Sequence, residues 1–113
     1  MENLHFDFEA LRDKLEYDDP FIKQFLEMLK EELEISFTKL IEQSKTNNWE
    51  GIKNAAHRIK GSALNACFNK LGKISASLEK MEDPTPEKIM SLIKQIEIEI
   101  ALAKETIEEK INN

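Results

Sequence analysis

Apolar residues recur at intervals of three and four along most of the chain, which is the spacing of amphipathic helices. The longest stripe follows "DDP", where Asp19 is predicted as the N-cap and Pro20 as the first helical residue. This helix is predicted to end at "SKTNN", and Phe21 is expected to pack in the core with it. The apolar positions of its stripe are Ile22, Phe25, Leu26, Leu29, Leu33, Phe37, Leu40 and Ile41.

Three more helices are predicted after this one. Asn48 is expected to cap a helix that starts near Trp49, and a break near Cys67 separates that helix from the next. In "EDPTP", Thr85 is predicted to cap the last helix and Pro86 to begin it. The apolar stripes of the three helices are, in order, Ile52, Ala55, Ala56, Ile59 and Ala63; Leu71, Ile74, Leu78 and Met81; and Ile89, Leu92, Ile93, Ile96, Ile100, Ala103 and Ile107.

A shorter apolar pattern lies near the N-terminus. In "FDFEALRDKLE", Phe6, Ala10 and Leu11 are predicted to share one face of a short helix. Together these segments predict an all-α fold, an antiparallel up-down four-helix bundle with a short accessory N-terminal helix. The length of 113 residues predicts a single domain over residues 1–113, with its core within residues 19–110.

The composition excludes several classes of protein. Apolar residues make up 41% and charged residues 34%, typical of a globular domain, and only 3 Gly and 3 Pro argue against an all-β fold. The net charge of −6 disfavours binding to nucleic acid or to an anionic membrane. Neither a leader nor a run of roughly 18 apolar residues is found, so a cytoplasmic protein is expected. The single cysteine excludes an internal disulfide and a multi-cysteine zinc site.

One histidine in the third predicted helix lies away from the core. Because each helical residue turns by about 100°, the apolar face of this helix is nearly opposite His57. Lys53, Lys60, Gly61 and Leu64 share the histidine's side of the helix. A glycine inside a helix costs about 1 kcal/mol relative to alanine. On an outer face it indicates that something outside approaches the backbone, although a merely tolerated glycine is the alternative.

The charge pattern around this histidine differs from that of the rest of the chain. Residues 51–78 contain no Asp or Glu, and the remainder has 11 Lys and Arg against 22 Asp and Glu. This pattern predicts a basic surface that suits an anion at His57 and an acidic partner, and a solvated helix face is the alternative. The five basic residues of the window are Lys53, Arg58, Lys60, Lys70 and Lys73.

A hairpin that turns at residues 67–68 would place residue 57 opposite residues 78–79. Leu78 could then face the core while the Glu79 carboxylate reaches the His57 ring. A carboxylate on one ring nitrogen selects the tautomer and makes the other nitrogen the nucleophile. The alternative is an exposed Glu79 that pairs with Lys80 or Lys53.

The segment "HRIKGSALNACFNKLGKISASLE" resembles the histidine-containing phosphotransfer (HPt) domain, whose pattern is His-x-Leu-Lys-Gly-Ser-Ser. The resemblance implies that His57 is phosphorylated, that Lys60 neutralises the phosphoryl group and that Gly61 leaves room for a partner. It also implies that Glu79 orients the histidine. The chain departs from the pattern at Ile59, Ala63, Cys67 and Phe68, the last two where the family often has Gly-Ala.

The resemblance also implies a function and its partners. His57 would accept a phosphoryl group from the aspartate of a receiver domain and donate it to another, in a phosphorelay with a hybrid or sensor histidine kinase. The chain would need no cofactor of its own and would not be an enzyme, because Mg²⁺ is expected on the receiver. Lys53, Arg58 and Leu64 are the predicted docking residues, and a monomer is expected.

Three alternatives remain open at this point. One is a helical module that docks on a receiver without being phosphorylated, and another is the phosphoacceptor domain of a larger histidine kinase. Met1 favours a stand-alone protein over the latter. A metal-binding bundle is the weakest alternative, because His57 and His5 lack Glu-x-x-His partners on facing helices, and His5 is expected at the surface.

Overall fold

The structure of the chain, a computed structural model, describes residues 5–112, and its regular elements there are five helices and no strands. None of these helices, over the described residues, is long and apolar enough to cross a membrane. The five helices, with no strand in residues 5–112, confirm the all-α prediction for this part of the chain. In chain order the helices are α1 (Phe8–Lys14), α2 (Asp19–Lys45), α3 (Trp49–Asn65), α4 (Asn69–Glu79) and α5 (Pro86–Asn112).

Side-chain caps determine where the long helices begin. The Asn48 side chain accepts from the Gly51 amide at 3.1 Å, and Thr85 Oγ1 accepts from the Lys88 amide at 3.2 Å, as the sequence predicts. The prediction for α2 is wrong by one residue. Asp18, not Asp19, is the N-cap, because the Asp18 carboxylate accepts from the amide three residues later, at 3.1 Å.

The turn between α3 and α4 is tight and its second residue is buried. Cys67 adopts a φ of 64°, in the left-handed region that favours glycine. The next residue, Phe68, is fully buried and donates its amide to the Ala63 carbonyl at 2.9 Å. Cys67 thus serves as the left-handed residue of the turn, and the Phe68 ring closes this end of the core.

The four long helices form a closed ring of contacts. α3 packs against α2 and α4, and α5 packs against α4 and α2. All the core positions predicted in α3 are buried, whereas Phe25, Phe37 and Ile74 are half-buried against the core. The fully buried large side chains at the centre include Leu26, Leu33, Leu40, Ile59, Leu71, Leu78, Ile96 and Ile107.

Two predicted core residues lie outside the core. Ala10 is exposed. The helical spacing that would put it on one face with Phe6 does not apply, because α1 begins only at Phe8. Phe6 is nevertheless buried, since it stacks on Phe68 with 4.1 Å between ring centroids. Phe21 is 48% exposed, because it lies on the outer face of the first turn of α2.

A buried carboxylate joins the N-terminal segment to α5 and α4. Glu99 is only 3% exposed, and its oxygens lie 3.0 Å from His5 Nδ1 and 3.4 Å from Lys70 Nζ. The surface position predicted for His5 is therefore wrong, because the ring is half-buried against this carboxylate. The contacts with the His5 ring and the Lys70 ammonium allow the Glu99 carboxylate to remain inside the fold.

Ser75 on α4 provides a test of the core packing. Its side chain is fully buried, and its hydroxyl has no hydrogen-bond partner among the described residues. Because a buried unpaired hydroxyl is unfavourable, Ser75→Ala should raise the free energy of unfolding by about 1 kcal/mol. Urea unfolding with Ser77→Ala, an exposed α4 position, as the control would measure this gain. A loss of stability in Ser75→Ala alone would contradict the packing described.

Candidate functional site

His57 projects from the outer face of α3. Its side chain is 63% exposed, while Ala56 and Ile59 on the opposite face are fully buried. The ring is thus available to a second macromolecule without any rearrangement of the core. The structure places this residue where the periodicity of the sequence predicts it.

Glu79, the last residue of α4, lies beside the histidine. Its Oε2 is 2.7 Å from His57 Nδ1, across the α3–α4 hairpin. The side chain of Glu79 is 23% exposed, so the carboxylate lies along the protein surface and does not project into water. The contact expected from the hairpin register is therefore present.

The second carboxylate oxygen binds the lysine of the motif. Lys60 Nζ lies 2.7 Å from Glu79 Oε1, and the lysine side chain is 22% exposed. Lys60 is the main reason that the pKa of Glu79 is lowered from its ordinary value. The His57 hydrogen bond and charge add to this effect, whereas the partial burial of the carboxyl raises its pKa. One carboxylate thus holds both functional side chains.

This arrangement selects the tautomer of the histidine. An ionised carboxylate only accepts hydrogen bonds, so the proton shared in the Glu79 contact belongs to His57 Nδ1. In the neutral ring the lone pair is then on Nε2. The atom that can act as a nucleophile is therefore the one not held by Glu79.

Gly61 lies one turn beyond the histidine. A Cβ placed on this residue would meet no atom within 4 Å, apart from its own helix backbone and chain neighbours. The fold itself therefore does not require a glycine here. This observation agrees with the expectation that the space is needed by something outside the chain.

The segment of residues 51–78, which has five basic and no acidic side chains, is less positively charged in its structural surroundings than the sequence suggests. Lys53 pairs with Glu50 at 3.0 Å and lies over the Trp49 ring, 5.9 Å from its centroid. Arg58 pairs with Glu32 of α2 at 3.5 Å. Carboxylates from outside residues 51–78 therefore neutralise part of the positive charge of this segment.

Exposed apolar side chains lie near the motif on both α3 and α2. Leu64 is 45% exposed on the histidine side of α3, as predicted. Phe25 and Met28 of α2 line a cavity of about 270 Å³ together with Ser62 and Asn65 of α3. The periodicity of the sequence does not predict this contribution of α2. Its signal in the sequence is Met28, an apolar residue that lies off the core-facing stripe of its helix.

Within residues 5–112, no three His, Cys, Asp or Glu side chains are grouped so that they could hold a metal ion. His5 and His57 each pair with a different carboxylate, Glu99 and Glu79 respectively.

The lowered pKa of Glu79 predicts a particular dependence of stability on pH. Ionised Glu79 stabilises the fold above its unfolded pKa of about 4.3, and this contribution is lost as the pH falls through the lower folded value. Glu79→Gln should therefore reduce the loss of stability between about pH 5 and pH 3.

Urea unfolding across this pH range would measure the difference, with Glu97→Gln, at an exposed position of α5, as the control. If Glu79→Gln lost stability in parallel with the unmodified chain, the carboxylate would not be stabilised by its partners.

Comparison with known proteins agrees with this geometry. The Hpt domain family model matches residues 24–106, most of the chain, including the histidine, the lysine and the carboxylate described above. No curated protein and no solved structure matches the chain significantly. Hpt domains are phosphocarrier modules that interact with receiver domains and kinases. The chain therefore belongs to the Hpt domain family and takes part in the histidine phosphotransfer of two-component signalling.

Proposed function

We propose that the chain is a phosphorelay intermediate in which His57 accepts a phosphoryl group from the aspartate of one receiver domain and donates it to another. The observation that supports this most strongly is the exposed ring of His57, held at Nδ1 by Glu79 with Nε2 left for reaction. The family match over residues 24–106 supports the same reaction class.

The transfer step needs only one group of this chain as a reactant. The lone pair of His57 Nε2 attacks the phosphorus of the aspartyl phosphate, and the bond from phosphorus to the aspartate oxygen breaks. The aspartate leaves as a carboxylate, and a phosphorus–nitrogen bond forms. The proton stays on His57 Nδ1 and is hydrogen-bonded to the Glu79 carboxylate. The negative charge of this carboxylate stabilises the positive charge that the ring acquires. The return step is the same reaction in reverse.

Lys60 supplies charge to the phosphoryl oxygens. Its ammonium is already within the site, paired with Glu79. Phosphoryl transfer depends mainly on in-line positioning and on neutralising the equatorial oxygens. Lys60 would turn from the carboxylate to these oxygens when the partner docks. The chain needs no cofactor for this role, and Mg²⁺ would act from the receiver.

The docking surface extends over α3 and part of α2. Gly61 gives access to the histidine, and the exposed Leu64 offers an apolar contact beside it. Lys53 and Arg58, at the edge of this surface, would exchange their present carboxylate partners for acidic groups of the receiver. An apolar centre with a charged rim is the usual composition of such an interface.

The proposal also covers the arrangement of the helices, the oligomeric state and the cellular location. The ring of helix contacts and the short connections support an antiparallel up-down four-helix bundle, with α1 as an accessory helix. The proposed protein is a monomeric phosphoryl carrier of the cytoplasm rather than an enzyme.

Replacement of the histidine tests the proposal directly. The unmodified chain, mixed with a panel of receiver domains carrying radiolabelled aspartyl phosphate, should acquire an acid-labile label from at least one of them. His57→Gln should abolish the label with little change in the melting temperature, because the ring is exposed on the outer face of α3.

The second histidine of the chain is the matched control. His5→Gln should retain the label, since His5 pairs with Glu99 in the fold. No label on the unmodified chain from any receiver in the panel, despite binding, would favour a docking module that is never phosphorylated. A phosphohistidine NMR signal from Nδ1 instead of Nε2 would contradict the assigned nucleophile.

A second prediction concerns Gly61. Gly61→Gln should leave the melting temperature unchanged or higher, because no neighbouring atom obstructs the new side chain and glutamine favours a helix. Transfer from a phosphorylated receiver should fall by roughly 100-fold, since the side chain displaces the reacting groups from alignment.

Asn54→Gln, at an exposed position one turn before the histidine, controls for the chemistry of the amide. Normal transfer by a well-folded Gly61→Gln variant would show that the receiver does not approach the backbone at this residue.

A further inference from the structure

We infer that Gly72, in the first turn of α4, keeps the space at Gly61 open by providing the place where the Leu64 side chain lies. The inference rests on the proposed function, because open space at Gly61 matters only if a partner docks there. Gly72 would then be a positioning residue that never touches the phosphoryl group.

The contact between the two residues is close. Gly72 is buried, and a Cβ placed on it would lie 2.4 Å from Leu64 Cδ2 and 2.7 Å from Leu64 Cγ. These distances are well inside van der Waals contact. The leucine side chain therefore occupies the volume that any other residue at position 72 would fill.

The hairpin relates this contact to the site. The same antiparallel register that places residue 79 beside residue 57 places residue 72 beside residue 64, both nearer the turn. Leu64 is two helical turns beyond His57 on the same side of α3. Gly72 therefore lies on the same side of α4 as Glu79, two helical turns nearer the connection between α3 and α4.

The direction in which Leu64 would move is restricted. The leucine is 45% exposed, so a Cβ on residue 72 would push it outward from α4 and not into the core. Helical side chains lean toward the preceding turn of their own helix. For Leu64 that turn contains Lys60 and Gly61, so the displaced side chain would cover the open space at Gly61.

A small substitution at Gly72 tests this arrangement. Gly72→Ala should lower the bimolecular rate constant for transfer from a phosphorylated receiver by about tenfold. Its melting temperature should stay near that of the unmodified chain, because the higher helix propensity of alanine offsets the cost of displacing the Leu64 side chain. In a chain that already carries Leu64→Ala, the same substitution should cause no further loss, because nothing remains to be displaced.

Gly51→Ala is the matched control. Its added Cβ would also meet a side chain closely, the Gln43 carboxamide at 2.3 Å, but on the side of α3 that faces α2. Transfer by Gly51→Ala should therefore be unchanged. Normal transfer by Gly72→Ala would overturn the inference. An equal loss in the presence of Leu64→Ala would also overturn it, because the effect would then not pass through the leucine.

An NMR measurement decides the inference without any receiver. In Gly72→Ala the Leu64 methyl and Gly61 amide signals should shift, and the Gly61 amide of Leu64→Ala should not respond to the same substitution. If no receiver labelled the unmodified chain while these shifts appeared, the proposed function would fail and the structural coupling would stand. If the Gly61 signal did not move in Gly72→Ala, the coupling itself would be wrong.

Discussion

The antiparallel packing of α3 against α4 is the constraint on which the rest of the site depends. The tight turn at Cys67 and Phe68 sets the register of the two helices, and the buried Phe68 ring anchors that turn in the core. The register then brings Glu79 to His57, although the two are separated by 22 positions in the chain. A shift of one residue in this pairing would rotate Glu79 away from the histidine by about 100°.

The Glu79 carboxylate connects the other two side chains of the candidate site. Glu79 contacts His57 through one oxygen and Lys60 through the other, so the orientation of the histidine ring and the position of the lysine ammonium are coupled. Three other basic side chains of residues 51–78 pair with carboxylates of their own, namely Lys53 with Glu50, Arg58 with Glu32 and Lys70 with Glu99. The site is therefore a local arrangement of a few groups on the surface of the helical fold.

Particular residues show how far sequence reasoning reaches. The caps Asn48 and Thr85 were predictable because a polar residue stands directly before an apolar-periodic stretch. The cap of α2 was misassigned because two aspartates are adjacent and only the backbone geometry distinguishes them. His5 was misplaced because its partner, Glu99, lies 94 positions away. No local pattern reports such a contact.

By itself, the sequence determined the helices, the outward direction of His57 and the open position of Gly61, because helical periodicity depends only on the order of nearby residues. Only the tertiary structure decided between the two alternatives for Glu79, and only it revealed the Lys60–Glu79 pair, the Arg58–Glu32 pair and the contact of the Leu64 side chain with Gly72. These contacts lie between different helices, and their distances follow from how whole faces pack together. The motif therefore singles out the candidate residue His57, whereas the packing of α3 on α4 determines how its ring is held.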